Sequence, residues 1–184
     1  MKSELPVVFH PDYATQLPAG HRFPIGKFVR IKELLLLDGI ISKSNLRQPE
    51  PITERQLLKA HTSQHIQKVF GLKLDKVEQR HLGMPLSRAL VKRGCAAVGG
   101  TLLAARLALD EGLACNIAGG SHHAFPGHAA GFCLFNDIAV AIRVLEAEST
   151  IKKALVIDLD VHQGDGTAVF FENDPAFFTF SIHC

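Results

Sequence analysis

The sequence predicts an α/β fold of three layers, αβα, with a largely parallel sheet in the middle. Short apolar strands alternate with helical patterns along the chain, and residues with reactive side chains follow two of those strands. Parallel sheets bind their ligands beyond the carboxyl ends of the strands, so this placement fits the predicted fold. A chain of 184 residues, 47% of them hydrophobic, suits one domain with a single core.

In the first half of the chain, apolar spacing and capping residues place the helices. Apolar residues recur at helical spacing over 25–37, which predicts the first long helix. Thr53 is expected to cap a short helix over 54–60, with Gln56 as its capping-box partner. The next helix is predicted over 62–71.

In the second half, helices alternate with strands. The Ala- and Leu-rich segment over 87–109 is expected to be broken at its glycines, where small residues would permit close helix packing. Asn136 is expected to cap a helix over 137–147. Strands are predicted at four places in the whole chain: 6–10, 114–118, 153–161 and 176–182.

The composition excludes several classes of protein. Lysine and arginine number 20 against 18 acidic residues, a balance that indicates neither a nucleic-acid nor a membrane partner. No apolar run is long enough to span a bilayer, and the first ten residues lack the apolar core of a signal peptide, so a cytoplasmic location is expected. The oligomeric state does not follow from the sequence. The cysteines form no CxxC pair, and reduced, buried thiols are expected at Cys95, Cys115, Cys133 and Cys184.

An acid–histidine pattern ends the predicted strand over 153–161. Alternate residues are apolar there, while Asp158, Asp160 and His162 share the opposite side. Carboxylates on a parallel strand are costly unless they meet a cation, and the D-x-H pair Asp160 and His162 suits Zn²⁺, with Fe²⁺ or Mn²⁺ less favoured. The alternative is a hydrogen-bonded turn in which the acids cap the next helix.

Two adjacent histidines follow the strand over 114–118. Next to a metal-bound water, one of His122 and His123 can act as general base and the other as an electrostatic or acid partner. Each imidazole then needs a group on its far nitrogen, and Asp158 and Asp165 are the acids left over from metal ligation. The alternative is a pair of solvated loop histidines. His128, in a Gly- and Pro-containing loop, is expected at the surface.

The stretch GFCLFND, residues 131–137, follows these histidines. Gly131 and Phe132 are candidates to line an apolar passage to the site, whereas Phe135 is expected in the core.

Three motifs in this order and spacing resemble the zinc-dependent histone deacetylase family: GGSHHA, GFCLFND and DLDVHQGDG. The stretch LPAGHRFPIGKF at 17–28 is similar to the family's bacterial and class IV-like members. The resemblance covers nearly the whole chain and implies the arginase/deacetylase-like version of the αβα fold. It also implies hydrolysis of acyl amides, with acylated lysine or a small acyl-amine as substrate.

The resemblance assigns roles to individual residues. It makes His123 the general base and His122 its electrostatic support. It implies zinc ligation by Asp160 and His162, backing of His122 and His123 by Asp158 and Asp165 respectively, and a substrate tunnel lined by Gly131 and Phe132. The family's monovalent cation, usually K⁺, would be held by Asp158, Ser181, Ile182 and the main-chain carbonyls of Asp160 and His162.

The sequence departs from the family pattern in two respects. The family's third zinc ligand, a later Asp, and its late oxyanion-stabilising tyrosine have no counterpart, because Tyr13 is the one tyrosine and lies near the start. We therefore expect residues 1–184 to be the N-terminal part of a single, C-terminally truncated deacetylase-like domain that lacks later strands. This chain alone is expected to be inactive or impaired.

Two other functions compete with this prediction. An arginase-like metallohydrolase with two Mn²⁺ ions uses D-x-H-x-D, but Gly164 stands at the position of the second acid. A non-catalytic remnant of the deacetylase fold, which binds acyl-lysine or a partner, is the alternative from a different class of function.

Overall fold

The structure is a computed structural model that describes residues 5–184. Its helices are α1 (Lys27–Leu37), α2 (Glu54–Leu57), α3 (Ser63–Phe70), α4 (Lys76–Leu82), α5 (Arg88–Glu111), α6 (Asp137–Ala147) and α7 (Asp165–Phe171). Its strands are β1 (Val7–Val8), β2 (Leu46–Arg47), β3 (Cys115–Asn116), β4 (Ala154–Asp158) and β5 (Phe177–Ser181). Two 3-10 turns lie at Pro11–Tyr13 and Lys43–Asn45.

All strand pairings in the described residues are parallel, as predicted. β1 lies between β2 and β3, with Val7 opposite both Leu46 and Cys115. β4 pairs with β5 in a separate sheet, from Ala154 opposite Phe177 to Asp158 opposite Ser181. Helix α5 packs against β1 and β3, and helices α6 and α7 pack against the β4–β5 sheet, which gives the α/β arrangement that the sequence predicts.

Helix α5 runs through its glycines without a break, contrary to the expectation from the sequence. A Cβ at Gly99 would overlap the carbonyl oxygen of Glu50, and a Cβ at Gly100 would overlap the Tyr13 hydroxyl. The absent side chains let other parts of the chain approach this helix closely, so the close packing expected at these glycines is present although the break is not. Helix α5 begins at the Ser87 cap, whose side chain accepts a hydrogen bond from the backbone of Leu90.

The main core lies between helices α5 and α6 and the short helices before them. Its largest fully buried apolar side chains are Phe135, Leu57, Ile66, Leu82 and Leu90. Phe135 is therefore buried, as the sequence predicted. Helix α6 begins at Asp137, and its Asn136 cap accepts a hydrogen bond from the backbone N–H of Ala139.

The β4–β5 sheet has one buried and one exposed face. Val156 and Phe177 pack against helices α6 and α7, whereas the outer face carries exposed apolar side chains. These outer residues are Leu155 and Ile157 on β4 and Phe178 and Phe180 on β5. The alternation predicted for 153–161 is present over Ala154–Asp158, and the side that carries Asp158 faces the protein. The strand ends there, so the prediction of a strand as far as residue 161 is wrong, and Asp160 and His162 lie beyond it.

The thiols are free but only half of them are buried, so the expectation of four buried cysteines is wrong at two positions. Cys95 and Cys133 are buried, and burial raises the pKa of Cys95 to about 11 and that of Cys133 to about 12. Cys115 and Cys184 are exposed. Among residues 5–184, no helix is both long and apolar enough to cross a membrane.

Candidate active site

The paired histidines lie on an irregular segment after β3. Gly120 adopts a positive φ of 88°, which turns the chain out of the strand and toward the carboxyl end of β4. The backbone N–H of His122 then donates to the carbonyl oxygen of Gly120. This turn brings the side chains of both histidines to the acids that follow β4.

Each histidine contacts its own carboxylate. The distance is 2.7 Å from His122 Nδ1 to Asp158 Oδ2 and also 2.7 Å from His123 Nδ1 to Asp165 Oδ1. A carboxylate only accepts hydrogen bonds, so both Nδ1 atoms carry hydrogen and both Nε2 atoms are left for chemistry. The two rings lie side by side, with centroids 4.1 Å apart.

Glycines make room for these acids. A Cβ at Gly164 would overlap the Asp158 carboxylate, and a Cβ at Gly166 would approach the backbone of the histidine segment at 2.5 Å. Asp165 is the first residue of α7, where the helix N-terminus favours negative charge, and it accepts the backbone N–H of Gly166. The Gly–Asp–Gly run therefore fixes the distance between α7 and the histidines.

Asp160 and His162 lie together beside the histidine pair. Asp160 Oδ1 accepts the backbone N–H of His162 at 2.8 Å and is 3.0 Å from His162 Nδ1, while His122 Nε2 lies 3.9 Å from the same oxygen. The backbone N–H of His162 and, secondarily, its ring and that of His122 lower the pKa of the Asp160 carboxyl. Both side chains are exposed, by 51% and 72%. The backbone here also forms a hydrogen-bonded turn, in which Asp158 and Asp160 each accept the N–H of the residue two positions later. The alternative to metal ligation that the sequence left open is therefore compatible with this geometry.

A carboxylate oxygen and an imidazole nitrogen are donors that Zn²⁺ accepts in catalytic sites. Such sites normally use three protein ligands, and residues 5–184 contain no group of three or more His, Cys, Asp or Glu placed to hold a metal ion. The donor set of Asp160 and His162 thus fits two of the three ligands.

A cleft of about 490 Å³ opens onto these residues. Gly131, with φ +52°, borders the His123 ring so closely that a Cβ there would overlap it. The Phe132 ring lies 5.2 Å from Phe23 and carries the Arg22 guanidinium 4.7 Å above its centroid. Gly131 and Phe132 therefore line the cleft beside the histidine pair.

Three of the residues expected to hold a monovalent cation, Asp158, Ser181 and Ile182, lie together. Asp158 and Ser181 are partners in the β4–β5 register, and the backbone N–H of Ile182 donates to the Asp158 carbonyl at 3.0 Å. The Ser181 hydroxyl accepts the backbone N–H of Gly164 at 3.3 Å. The Ile182 side chain is exposed and contributes no polar atom.

Two other aromatic residues lie apart from the histidine pair. His128 is exposed and stacks on Phe125 with ring centroids 4.5 Å apart, in agreement with the surface position expected for it. Tyr13 is fully buried and donates its hydroxyl hydrogen to Asn116 at 2.8 Å, and burial raises the pKa of its phenol. Its hydroxyl therefore serves the interior of the protein.

Sequence reasoning missed the buried residues that hold the histidine segment from behind. Asp137 accepts the backbone N–H groups of Gly120 and Ser121, and Thr167 donates its own to the carbonyl of His122. An acid in the first turn of a helix ordinarily indicates a favourable helix dipole, so Asp137 carried no separate signal. Its position beside Asn136 in GFCLFND was the one available clue.

The comparison with protein families decides the identity. The family model described as "Histone deacetylase domain" matches residues 21–184. The chain belongs to this histone deacetylase family. Among curated relatives of this family member, an uncharacterized protein of Picosynechococcus sp. is 48% identical over 179 residues, covering 97% of the chain and 60% of the relative. The acetoin utilization protein AcuC of Bacillus subtilis is 33% identical, covering 96% of the chain and 48% of AcuC.

Solved structures of deacetylase homologues share the fold. A homologue from Aquifex aeolicus superposes with a TM-score of 0.78 at 27% identity, covering 98% of the deacetylase-family chain and 51% of that homologue. The HDA15 HD domain gives a TM-score of 0.82 at 26% identity, covering 98% and 54% respectively. The chain thus spans about half the length of the solved homologues it matches.

Proposed function

We propose that these residues form part of a zinc-dependent amide hydrolase that removes acetyl or other acyl groups from lysine or related amines. The observation that carries the proposal is the pair of His–Asp contacts, each 2.7 Å long, beside Asp160 and His162. Two imidazoles with their Nδ1 atoms bound to carboxylates present two basic Nε2 atoms to one cleft. Such groups are suited to general acid–base chemistry on an amide.

The roles follow from what each side chain contacts. His123 is the general base: Asp165 holds its Nδ1–H, so its Nε2 accepts a proton from water and later passes it to the leaving amine. His122, which is more buried, is the electrostatic partner of His123, and its bond to Asp158 fixes the orientation of its ring. Gly131 and Phe132 hold the aliphatic part of the acyl-amine and exclude water. Zinc held partly by Asp160 and His162 would polarise the acyl carbonyl and make a bound water more acidic.

The substrate is proposed as a class. AcuC is a curated relative named for acetoin utilization, and a solved homologue at 27% identity is a complex with SAHA. The SAHA complex supports a cleft that takes a linear acyl-amine, either acylated lysine or a small acyl-amine. We further propose a cytoplasmic location, no nucleic-acid or membrane partner, and K⁺ at the Asp158–Ser181 site.

We infer that residues 1–184 alone are inactive or strongly impaired, as the N-terminal part of a single deacetylase-like domain. They offer two zinc ligands where a catalytic zinc site takes three. Tyr13 is buried on Asn116, so the chain's one tyrosine cannot stabilise an oxyanion in the cleft. Loss of a single oxyanion donor slows such reactions by about 10²–10³.

The experiment measures zinc binding and turnover separately. Titration with Zn²⁺ and with Co²⁺ as a spectroscopic probe should show weak binding that Asp160→Ala and His162→Ala each abolish. His81→Ala, a change of an exposed histidine that does not line the cleft, is the matched control and should leave binding unchanged. Binding that survives both ligand variants would refute the zinc site.

Turnover of an acetyl-lysine peptide tests the rest. We expect hydrolysis by this chain to be at least about 10²-fold below that of a longer form of the protein that supplies a third zinc ligand. Ordinary turnover would contradict the impairment. If a longer form of the protein with three zinc ligands bound the acyl-peptide but never hydrolysed it, the non-catalytic binding function would replace the proposed one.

The arginase-like alternative is disfavoured by the structure around Gly164. A second metal would need an acid at this position, but even a Cβ there would overlap the Asp158 carboxylate. Metal stoichiometry distinguishes the two, because an arginase-like site binds two ions per chain.

A further inference from the structure

We propose that Asp137, together with its neighbour Asn136, is a positioning residue that fixes the backbone of the histidine pair. The two residues begin helix α6, and their side chains hold the segment that carries His122 and His123 from both flanks. The proposal rests on the proposed function only for the statement that the two histidines are catalytic.

The N-terminal flank of the segment is bound to the Asp137 carboxylate. The backbone N–H of Gly120 donates to Oδ2 at 3.0 Å, and that of Ser121 donates to Oδ1 at 2.6 Å. The Thr101 hydroxyl donates to the same carboxylate. Asp137 has no exposed surface, so the carboxylate depends on these protein donors in place of water.

The C-terminal flank is bound to the Asn136 side chain and to Thr167. Asn136 Nδ2 donates to the carbonyl of Ala124 at 3.3 Å and to the Thr167 hydroxyl at 2.9 Å. The backbone N–H of Thr167 donates to the carbonyl of His122 at 3.0 Å. Bonds from one helix start therefore reach residues on both sides of the histidines.

Helix capping does not account for Asp137. Asn136 already caps α6 through its bond with the backbone of Ala139, so the helix start is satisfied without a second acid. A fully buried carboxylate is costly, and charge-assisted hydrogen bonds to backbone N–H groups are the compensation that the site offers. Those N–H groups belong to the residues directly before His122. The carboxylate is thus placed where it controls the histidine segment.

Gly119 allows the histidine segment to pack closely against Asp137 and Thr101. A Cβ at Gly119 would approach Asp137 Oδ2 at 3.1 Å and the Thr101 hydroxyl at 2.9 Å, so only glycine lets the segment come this close. Residues 119–124 belong to no helix or strand, and side-chain anchors therefore set where the histidines stand. Misplacement of catalytic groups by about 1 Å can cost about 10²-fold in rate.

Nuclear magnetic resonance of the 184-residue chain tests the proposal without any turnover. Asp137→Asn removes the charge while keeping the shape of the side chain. We expect the amide protons of Gly120 and Ser121 to shift upfield and to exchange about tenfold faster or more, relative to amides of α5 in the same variant. The Nδ1–H resonances of His122 and His123 should move as well.

Ile66→Val is the matched control, because Ile66 is fully buried in the main core and lies on α3, outside both α6 and the histidine segment. It should lower global stability without moving the resonances of residues 120–123. If Asp137→Asn behaved like this control, with exchange faster only in proportion to global stability, the role of Asp137 would be merely structural and the proposal overturned.

Thr101→Val keeps the buried carboxylate and removes one of its donors, so it carries the test if Asp137→Asn does not fold. It should perturb the same two amides to a smaller extent, and unperturbed amides would overturn the proposal. Failure of this proposal and of the proposed function are distinguishable. Suppose that the Asp137→Asn variant shows these shifts but a longer form of the protein never hydrolyses acyl-amines. The hydrolase function would then be refuted, and the positioning role of Asp137 would stand.

Discussion

His122 Nδ1 lies 2.7 Å from Asp158 Oδ2, a hydrogen bond that joins the loop after β3 to the end of β4. The bond from His123 to Asp165 has the same length but a different environment, because the Asp158 side chain is 13% exposed and that of Asp165 is 46% exposed. Because the two hydrogen bonds have the same length but different exposure, we expect them to contribute unequally to the free energy of unfolding. Hydrogen bonds to charged groups gain strength where water is excluded.

The first prediction compares Asp158→Asn with Asp165→Asn. Asp158 also accepts the backbone N–H of Asp160, so its replacement should lower the unfolding free energy by about 1.5–3 kcal/mol. Asp165 is half exposed, and its replacement should cost less than about 1 kcal/mol. Urea unfolding of both variants at neutral pH measures the difference. Equal losses, or a larger loss for Asp165→Asn, would show that burial does not distinguish the two pairs.

The second prediction concerns the contact between Gly131 and the His123 ring. Gly131→Ala adds a Cβ where the ring lies and at a positive φ of 52°, so the ring must move and the variant should lose about 1–3 kcal/mol of stability. The Nδ1–H resonance of His123 should shift or broaden. Gly127→Ala is the control, because a Cβ at Gly127 would lie 4.0 Å from the nearest atom, the Thr62 hydroxyl oxygen. It should change neither the stability nor the His123 resonance. An unmoved His123 signal in Gly131→Ala would contradict the close approach.

Local signals in the sequence predicted helices α2 and α6 through their caps. The capping box of Thr53 and Gln56 and the Asn136 cap are both present, since a cap depends on a few neighbouring residues. Helix α4, Lys76–Leu82, was missed although Asp75 and Glu78 form a capping box, because its few apolar residues give little periodicity. The continuity of α5 was missed because a glycine's packing partner lies far away in sequence.

The candidate site was predictable where residues of one motif act together. Asp160 and His162 are two residues apart, and their proximity follows from strand and turn geometry. Which acid faces which histidine came from the resemblance to the deacetylase family, not from spacing. The anchors behind the histidines, Asp137 and Thr167, were missed because a side chain that bonds distant backbone leaves no local pattern.

The third prediction concerns acid stability. Burial, with His65 adding a smaller effect, lowers the pKa of His61 to about 3. Its Nε2 accepts the backbone N–H of Asn136, so the folded protein holds the ring neutral. In the unfolded chain a histidine has a pKa of about 6.5. Between pH 3 and pH 6.5, roughly, the unfolded chain therefore binds more protons at His61 than the folded protein does. Stability from neutral His61 is therefore complete above about pH 6.5 and falls as the pH drops toward about 3.

Chemical unfolding measured between pH 6 and pH 5 tests the contribution of His61, because most carboxyl groups have pKa values below this interval. Wild-type stability should fall with pH at a slope that approaches about 1.4 kcal/mol per pH unit from His61. His61→Gln should be less stable at neutral pH and should show a shallower slope. His81→Gln, at an exposed histidine, is the control and should keep the wild-type slope. An unchanged slope in His61→Gln would rule out His61 as the source.

The fourth prediction uses two adjacent phenylalanines on β5. Phe177 is 3% exposed and packs on Phe171 with ring centroids 5.5 Å apart, whereas Phe178 is 65% exposed on the outer face. Phe177→Ala should lower the unfolding free energy by about 3–5 kcal/mol, because it leaves a cavity among α6 and α7. Phe178→Ala should cost less than about 1 kcal/mol, since it loses mainly strand propensity. Urea unfolding of the two variants measures the difference in unfolding free energy. Similar losses of stability would contradict the exposure of Phe178 on the outer face of the β4–β5 sheet.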